Sequence, residues 1–227
     1  MGLILNIETA TEICSVNLGR DGQSIFTLES LEPQTHASQL TCLIERLLAE
    51  CGVGVAALDA VAVSAGPGSY TGLRIGTSVA KGICFAVDCG LLAVDTLESL
   101  AHATKEISED GDFFIPMIDA RRMEVYTAVY NKKLECVEKK NAKIIDKNSF
   151  ESYIITNKKI FLSGNGSKKT MHFFDKNNIK YQSVICSASN LTKLSERELN
   201  IDNFVNLAYY SPEYLKNPNI TISKKRL

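Results

Sequence analysis

Apolar runs open the chain and predict the strands of its first half. The second and third runs are separated by Asp21-Gly22, a pair that supplies the two positive φ angles of a tight hairpin turn. The fourth run is apolar at every position, as expected of a parallel strand covered on both faces. The five runs are residues 3–7, 14–18, 24–28, 60–63 and 91–94. We therefore expect an antiparallel meander followed by buried strands.

Spacings of three and four between apolar residues predict the helices of this half. One apolar stripe lies on a helix that Ser38 could cap and Gly52 could end. A second helix is predicted at residues 71–87, and a third starts at Thr96. The stripe consists of Leu40, Leu43, Ile44, Leu47, Leu48 and Cys51. The order of elements is β-β-β-α-β-α-β-α, and the stripe must face a core or a partner.

The second half repeats the beginning of this order. Residues 113–118 and 124–130 predict a hairpin, because the latter alternates between apolar and polar positions. Further strands are expected at 158–163 and 180–185, and helices at 148–155, 168–176 and 189–199. The sequence contains no readable repeat, so a duplication is inferred from the order of elements alone.

The composition excludes several classes of protein. The chain has 227 residues, of which 45% are hydrophobic and 22% charged, which argues against disorder, collagen and coiled coils. Apolar stretches such as residues 83–87 reach about a quarter of the roughly 20 residues that span a bilayer. The N-terminus resembles no signal peptide, so we expect a cytoplasmic protein without a membrane segment. The seven cysteines include no C-x-x-C pair and are expected to be reduced.

Charge is divided unevenly along the chain. Residues 1–110 contain 5 Lys and Arg against 14 Asp and Glu, a balance of −9, whereas residues 111–227 contain 20 against 12, a balance of +8. Glycine follows the same division, with 11 in the first part and 3 in the second. We therefore expect two domains, an acidic lobe over 1–110 and a basic lobe over 111–227.

The Gly-rich segment after the fourth strand is the first candidate for a binding site. Gly66, Gly68, Ser69 and Gly72 could present bare N–H groups to phosphate or carboxylate at the positive end of a helix dipole. The same glycines would suit a tight strand-to-helix crossover in which they serve only the backbone. The segment lacks the Gly-Lys-Ser/Thr ending of a P-loop, so both interpretations stay open.

A second candidate for anion binding lies in the predicted hairpin of the second half. Arg121 and Arg122 follow Asp119, and guanidinium groups bind anions through paired N–H donors. Asp119 could equally pair with either arginine and fix the turn. Neither alternative is favoured by the sequence.

Other catalytic patterns are absent from the sequence. His36, His102 and His172 are far apart and form no metal-binding spacing, so we expect no metal. No nucleophile elbow occurs, and no catalytic residue is predicted. The first strand ends at Glu8 with no glycine until Gly19, which makes a nucleotide cofactor doubtful.

The spacing of small residues suggests a partner surface. Gly72, Gly76 and Ala80 lie four apart, so one face of the second helix has almost no side chains and allows close backbone approach. That approach could occur inside the lobe or against another protein. Together with the apolar stripe, the predicted partner interface is Leu40, Leu43, Leu47, Gly72, Gly76 and Ala80.

Several segments together resemble the TsaB (YeaZ) family. The block from Gly66 to Gly76, followed by Ile118-Asp119-Ala120-Arg121-Arg122-Met123-Glu124-Val125-Tyr126, is highly specific. The resemblance runs from residue 3 to about 130 and includes Pro212-Glu213-Tyr214-Leu215 near the C-terminus. It departs from the family at Glu8, where Asp is common, and at Ala10, where Ser is common.

This resemblance implies a two-lobed α/β ASKHA fold, actin-like and ribonuclease H-like, with mixed sheets flanked by helices. It implies a role in forming threonylcarbamoyladenosine at position 37 of tRNAs that read ANN codons. In such systems the paralogue TsaD carries the metal and transfers the threonylcarbamoyl group from its adenylate. TsaB serves as a non-catalytic scaffold docked through its N-terminal lobe, and the ATPase TsaE completes the complex.

The resemblance also sets further expectations and alternatives. The free chain could form a homodimer through the same N-terminal surface, and contact with tRNA is expected to be indirect. An autonomous actin-type ATPase or kinase is the alternative from another class. The family has been labelled glycoprotease-like through its kinship with TsaD, but no residue here supports proteolysis. The scattered lysines of the basic lobe suit a solvated surface better than an RNA-binding stripe.

Overall fold

A computed structural model describes residues 2–32, 36–174 and 177–216. Its strands are β1 (Leu3–Glu8), β2 (Cys14–Arg20), β3 (Gln23–Ser30), β4 (Ala60–Gly66), β5 (Gly90–Asp95), β6 (Phe113–Asp119), β7 (Glu124–Asn131), β8 (Cys136–Ile144), β9 (Ile160–Ser163) and β10 (Ile179–Gln182). Its α-helices are α1 (His36–Glu50), α2 (Tyr70–Val87), α3 (Thr96–Glu106), α4 (Glu151–Ile154) and α5 (Thr192–Asn200). Short 3₁₀ helices cover Val55–Ala57, Lys168–Phe173 and Ala188–Leu191.

The first sheet has the strand order β3-β2-β1-β4-β5. β1 pairs antiparallel with β2 and parallel with β4, so the meander and the crossover strands meet at β1. The predicted hairpin turn is confirmed, because Asp21 and Gly22 adopt φ angles of 54° and 72°. A parallel pair of this kind leaves a crevice beyond the carboxyl ends of β1 and β4, where such sheets commonly bind ligands.

The second sheet repeats this topology. Its order is β10-β9-β6-β7-β8, with β6 antiparallel to β7 and parallel to β9. The central strand of each sheet therefore has an antiparallel meander on one side and parallel strands on the other. This correspondence confirms the expected two-lobed α/β fold with mixed sheets flanked by helices.

Some predicted elements differ in the second half. β8 was not predicted, because its sequence is rich in lysine and only partly buried. The helix expected at 168–176 is a 3₁₀ helix over Lys168–Phe173, and residues 175–176 lie outside the described residues. The helix expected at 189–199 divides into a 3₁₀ turn and α5.

The ends of the first two helices follow from local chemistry. α1 begins at His36, so Ser38 lies inside the first turn instead of capping it. Beyond its end, Gly52 adopts a φ of 63°, as the predicted stop requires. α2 is capped by Ser69, whose Oγ accepts a hydrogen bond from the Gly72 N–H at 3.2 Å.

Both helices bury an apolar face against the first sheet. The buried side chains of α1 pack with those of β1, β2 and β4 in one core cluster. Each large apolar side chain buried in this way contributes about 1.5–3 kcal/mol. The apolar stripe predicted from the sequence therefore faces a core within this chain.

The last described part of the chain returns to the first lobe. α5 packs against β1 and β5, where Leu194 and Leu191 meet Val94. We call residues 203–216 the C-terminal strap. Within it, the Val205 N–H donates to the Leu91 carbonyl at 2.9 Å and the Glu213 N–H to the Ala65 carbonyl at 2.8 Å. The strap thus contacts the outer strand β5 near its first residues and β4 near its carboxyl end.

Candidate functional site

The candidate site lies where the turn after β1 meets the start of α2. Its glycines allow this approach, because an added Cβ would collide with the turn. A Cβ at Gly68 would lie 2.5 Å from the Ala10 carbonyl oxygen, and one at Gly72 would lie 2.2 Å from that of Thr9. At Gly76 the nearest atom would be Thr9 Oγ1 at 2.4 Å. These three glycines hold the helix directly on the first hairpin turn.

Gly66 makes its close contact on the other side, with the C-terminal strap. A Cβ there would lie 2.5 Å from the Glu213 carbonyl oxygen. The residue adopts a φ of 106°, a conformation that side-chain-bearing residues rarely adopt. The strap thus occupies the space beside the carboxyl end of β4.

Three of the four N–H groups predicted to bind an anion have acceptors inside the chain. The Ser69 N–H donates to the Ala10 carbonyl at 2.7 Å, and the Gly72 N–H donates to Ser69 Oγ. The Gly66 N–H donates to Thr96 Oγ1 at 3.2 Å. Anion binding by Gly66, Ser69 and Gly72 would require these bonds to break, so the geometry favours the crossover interpretation of the segment.

Glu8 is a fully buried carboxyl at the end of β1. One oxygen, Oε1, accepts the Ala10 N–H at 2.6 Å, whereas Oε2 has no hydrogen-bond partner. Burial raises the pKa of Glu8 from 4.5 to about 7, and hydrogen bonding, chiefly from the Ala10 N–H, opposes that rise only in part. The thiols of Cys14 and Cys186 lie close enough for the Glu8 charge to raise their pKa values, although burial is the larger cause.

Arg121 lies apart from the Gly-rich segment, on the turn between β6 and β7. Asn165 connects this turn to the first lobe, because its Oδ1 accepts the Asp119 N–H at 3.0 Å and its Nδ2 donates to Glu12 Oε2 at 2.8 Å. Asp119 receives the Arg121 backbone N–H at 2.8 Å and Lys169 Nζ at 2.5 Å. Within the described residues, Asp119 therefore fixes the turn through Lys169 and a backbone bond, not through an arginine side chain.

The residues predicted at the partner interface are buried inside the lobe. Leu40, Leu43 and Leu47 belong to the core beneath α1, and Ala80 belongs to the same cluster. Gly72 and Gly76 face Thr9, as described above. All six side-chain positions are therefore interior, and a partner docked on these helices would meet their opposite faces.

The outward faces of α1 and α2 carry mostly small or charged residues. α1 packs beside α2, so the two faces are neighbours. Phe85 stands out because 85% of its surface is exposed. The exposed residues are Ala37, Ser38, Thr41, Cys42, Glu45, Arg46, Ala49 and Glu50 on α1, and Thr71, Arg74, Ser78, Gly82, Phe85 and Ala86 on α2. We call this set the α1–α2 outer face.

The C-terminal strap ties both lobes together, a feature that the sequence did not reveal. Lys140 of β8 donates to Asp95 Oδ2 at 2.5 Å and also to Glu213. Its pKa is raised because these two carboxylates outweigh the effect of its burial. The ring of Tyr214 packs at 4.7 Å from that of Tyr70, and its hydroxyl accepts Arg74 Nε at 3.0 Å. The only sequence signal was the Pro212-Glu213-Tyr214-Leu215 segment.

Two kinds of site are absent from the described residues. Across residues 2–32, 36–174 and 177–216, no cluster of three or more His, Cys, Asp and Glu side chains could hold a metal ion. In the same ranges, no helix is long and apolar enough to cross a membrane.

Fold and site together define a two-lobed α/β protein whose two mixed sheets share one topology. The sequence model of the family described as TsaD, tRNA N6-adenosine threonylcarbamoyltransferase, matches residues 30–224. The chain therefore belongs to this family and, within it, to the TsaB (YeaZ) branch, which the relatives below identify.

Relatives of known name support the assignment to this branch. The tRNA threonylcarbamoyladenosine biosynthesis protein TsaB of Haemophilus influenzae is 35% identical over 123 residues, which are 54% of this chain and 51% of that protein. TsaB of Escherichia coli K12 is 35% identical over 129 residues, which are 57% and 55% of the two chains. The chain thus spans about half the length of the curated relatives it matches. The structure of YeaZ from Pseudomonas aeruginosa superimposes with a TM-score of 0.81 at 26% identity, covering 95% of this chain and all of that one.

Proposed function

We propose that this chain acts in forming threonylcarbamoyladenosine at adenosine 37 of tRNAs as a non-catalytic partner subunit. In this proposal it docks on a TsaD paralogue through the α1–α2 outer face. The relatives named for this pathway support the pathway, and the position of Phe85 supports the surface. A cytoplasmic location follows from the proposal, because tRNA is modified there.

The exposure of Phe85 is the observation that carries this docking surface. Its ring projects from the last turns of α2, where the neighbouring outward positions, Gly82 and Ala86, are small. A large aromatic side chain among small neighbours is typical of an interface anchor that fills a pocket of the partner. Burying such a ring contributes about 1.5–3 kcal/mol, enough to change affinity more than tenfold.

The docking lobe includes more than its own sheet. We propose a division into an N-terminal docking lobe over residues 1–110 and a second lobe over 111–227, with the C-terminal strap completing the first. Lys81 Nζ donates to the Ala208 carbonyl at 3.2 Å, so the strap supports the flank of α2. The ATPase TsaE would join this pair, and the free chain would self-associate through the same face.

Co-elution with a purified TsaD paralogue tests the docking surface. At micromolar concentrations of both proteins, size-exclusion chromatography should show one complex with the unchanged chain. Phe85→Asp should abolish the complex, because it places a charge at the centre of the contact. Ile144→Asp is the matched control, since Ile144 is also exposed, by 72%, but lies on β8 of the other lobe.

Several outcomes would overturn the proposal. If the unchanged chain and the TsaD paralogue elute as two separate peaks, the proposed partnership is ruled out. If both aspartate variants lose the complex equally, the proposed docking surface is ruled out. Reconstituted tRNA modification that reaches full activity without this chain would remove the pathway role. Thermal unfolding of both variants shows whether any loss comes from misfolding.

A further inference from the structure

The turn between β6 and β7 has an unusual backbone. Arg121 and Arg122 adopt φ angles of 72° and 51°, so two consecutive arginines occupy the left-handed region. Residues in this region are normally Gly or Asn, because a Cβ is disfavoured there. The choice of arginine is therefore not explained by the turn itself, and strained backbone of this kind concentrates at functional sites.

Neighbouring elements hold this turn in place. Lys169 Nζ donates to Asp119 Oδ1 at 2.5 Å, to the Arg122 carbonyl at 2.7 Å and to the Glu124 carbonyl at 2.6 Å. Asn165 fixes the Asp119 N–H from the other side. The ammonium group thus donates all three of its N–H groups to the backbone and the carboxylate of one turn. These hydrogen bonds fix the conformation of the turn without any ligand.

The two guanidinium groups have no partner among the described residues, and both side chains are exposed. Nearby carboxylates are already engaged. Asp119 pairs with Lys169, and Glu124 pairs with Lys216. Glu12 accepts the amide of Asn165. Among the residues that the structure describes, positive charge is therefore left uncompensated on this turn.

We propose that Arg121 and Arg122 contact the phosphodiester backbone of an RNA. Arginine forks bind phosphate through two parallel N–H donors, and a preorganised pair loses little freedom on binding. Exposed cations on a turn that its neighbours hold in place suit a polyanion that lies across the surface, and such contacts position a nucleic acid without reading its bases. The choice of RNA over other polyanions rests on the proposed function, whereas the phosphate chemistry does not.

Binding of an unmodified tRNA transcript to the full chain tests this inference. Fluorescence anisotropy would be measured between about 50 and 200 mM salt, where phosphate contacts weaken strongly. The double variant Arg121→Ala/Arg122→Ala should bind about tenfold or more weakly at the lower salt. The slope of log affinity against log salt should fall in magnitude by about 2, one for each lost contact.

A second double variant provides a matched control. Lys132→Ala/Lys133→Ala removes the same charge from the turn at the other end of β7, where both lysines are exposed. It should leave the affinity within about twofold of the unchanged chain, since it lies outside the contact. Equal losses in the two double variants would mean a diffuse charge effect and would overturn the inference.

Other results would overturn it in distinguishable ways. Absence of tRNA binding by the unchanged chain at about 100 µM, the weak end of the usual range of non-specific affinity, would rule out the contact. Equally tight binding of a DNA duplex would remove the assignment to RNA, and displacement by millimolar ATP would indicate a nucleotide site instead. The arginine variant should still co-elute with the TsaD paralogue. Failure of that docking with the unchanged chain would refute the proposed function while leaving RNA binding by the isolated chain to be decided on its own.

Discussion

Replacing Glu8 by Gln should destabilise the protein at acid pH and should be more favourable to folding at alkaline pH. The Glu8 carboxyl is buried with one oxygen unpartnered, and burial raises its pKa from 4.5 to about 7. Below pH 4.5 the group is neutral in both the folded and the unfolded state. As the pH rises from 4.5 to about 7, only the unfolded state ionises readily, so folding stability is lost across this window.

The size of this loss follows from the two pKa values. Each pKa unit is worth about 1.4 kcal/mol, so the loss reaches about 3 kcal/mol above pH 7. Gln cannot ionise, so the variant does not undergo this loss of folding stability. The amide adds a pH-independent cost of about 1–3 kcal/mol, because its NH₂ would replace an oxygen that has no partner. The difference between the effects of the substitution at the two pH values cancels that cost and isolates the titration.

Urea unfolding followed by circular dichroism at about pH 4.5 and about pH 8.5 measures this difference. The change in unfolding free energy caused by Glu8→Gln should be more favourable at the higher pH by about 2–3 kcal/mol. Glu45→Gln, on the exposed face of α1, is the control and should show less than about 0.5 kcal/mol of such dependence. An effect of Glu8→Gln that is the same at both pH values would refute the reasoning.

Two further predictions concern packing and the strap. Gly76→Ala should destabilise the protein by about 1–3 kcal/mol, because the added Cβ would meet Thr9 Oγ1. Gly82→Ala, on the open face of α2, should instead stabilise it by up to about 1 kcal/mol. Thermal unfolding measures both changes, and equal effects would contradict the packing of Gly76 on Thr9. Lys140→Met should free Glu213 and speed proteolysis within the strap, compared with the exposed control Lys132→Met. Identical cleavage rates would show that Lys140 does not hold the strap.

Local patterns were enough to predict most of the first lobe. Its strands are short apolar runs, and its helices have apolar residues spaced three and four apart. The Asp21-Gly22 pair fits one type of hairpin turn. β8 escaped prediction because it is an edge strand, and an edge strand tolerates the lysines that hide its alternation. The correspondence between the strand orders of the two sheets depends on which strands pair, and the sequence does not specify that pairing.

The site residues show what periodicity cannot decide. The stripe through Leu40 and Leu47 has the same spacing whether it covers its own sheet or a partner, and here it covers its own sheet. The glycines at 72 and 76 are explained by Thr9, more than sixty residues earlier, so no local pattern could identify what they approach. Neither could the sequence show that Lys169 holds the Arg121 turn from another element.

The C-terminal strap has a consequence for dividing the protein into fragments. A fragment of residues 1–110 would contain every strand of the first sheet, but it would lack the backbone hydrogen bonds that the strap makes to Ala65 and Leu91. It would also lose Phe204, which packs closely against Gly90. Each buried backbone group left without a partner costs about 1–3 kcal/mol. We therefore expect the first lobe to be less stable as an isolated fragment than within the full chain.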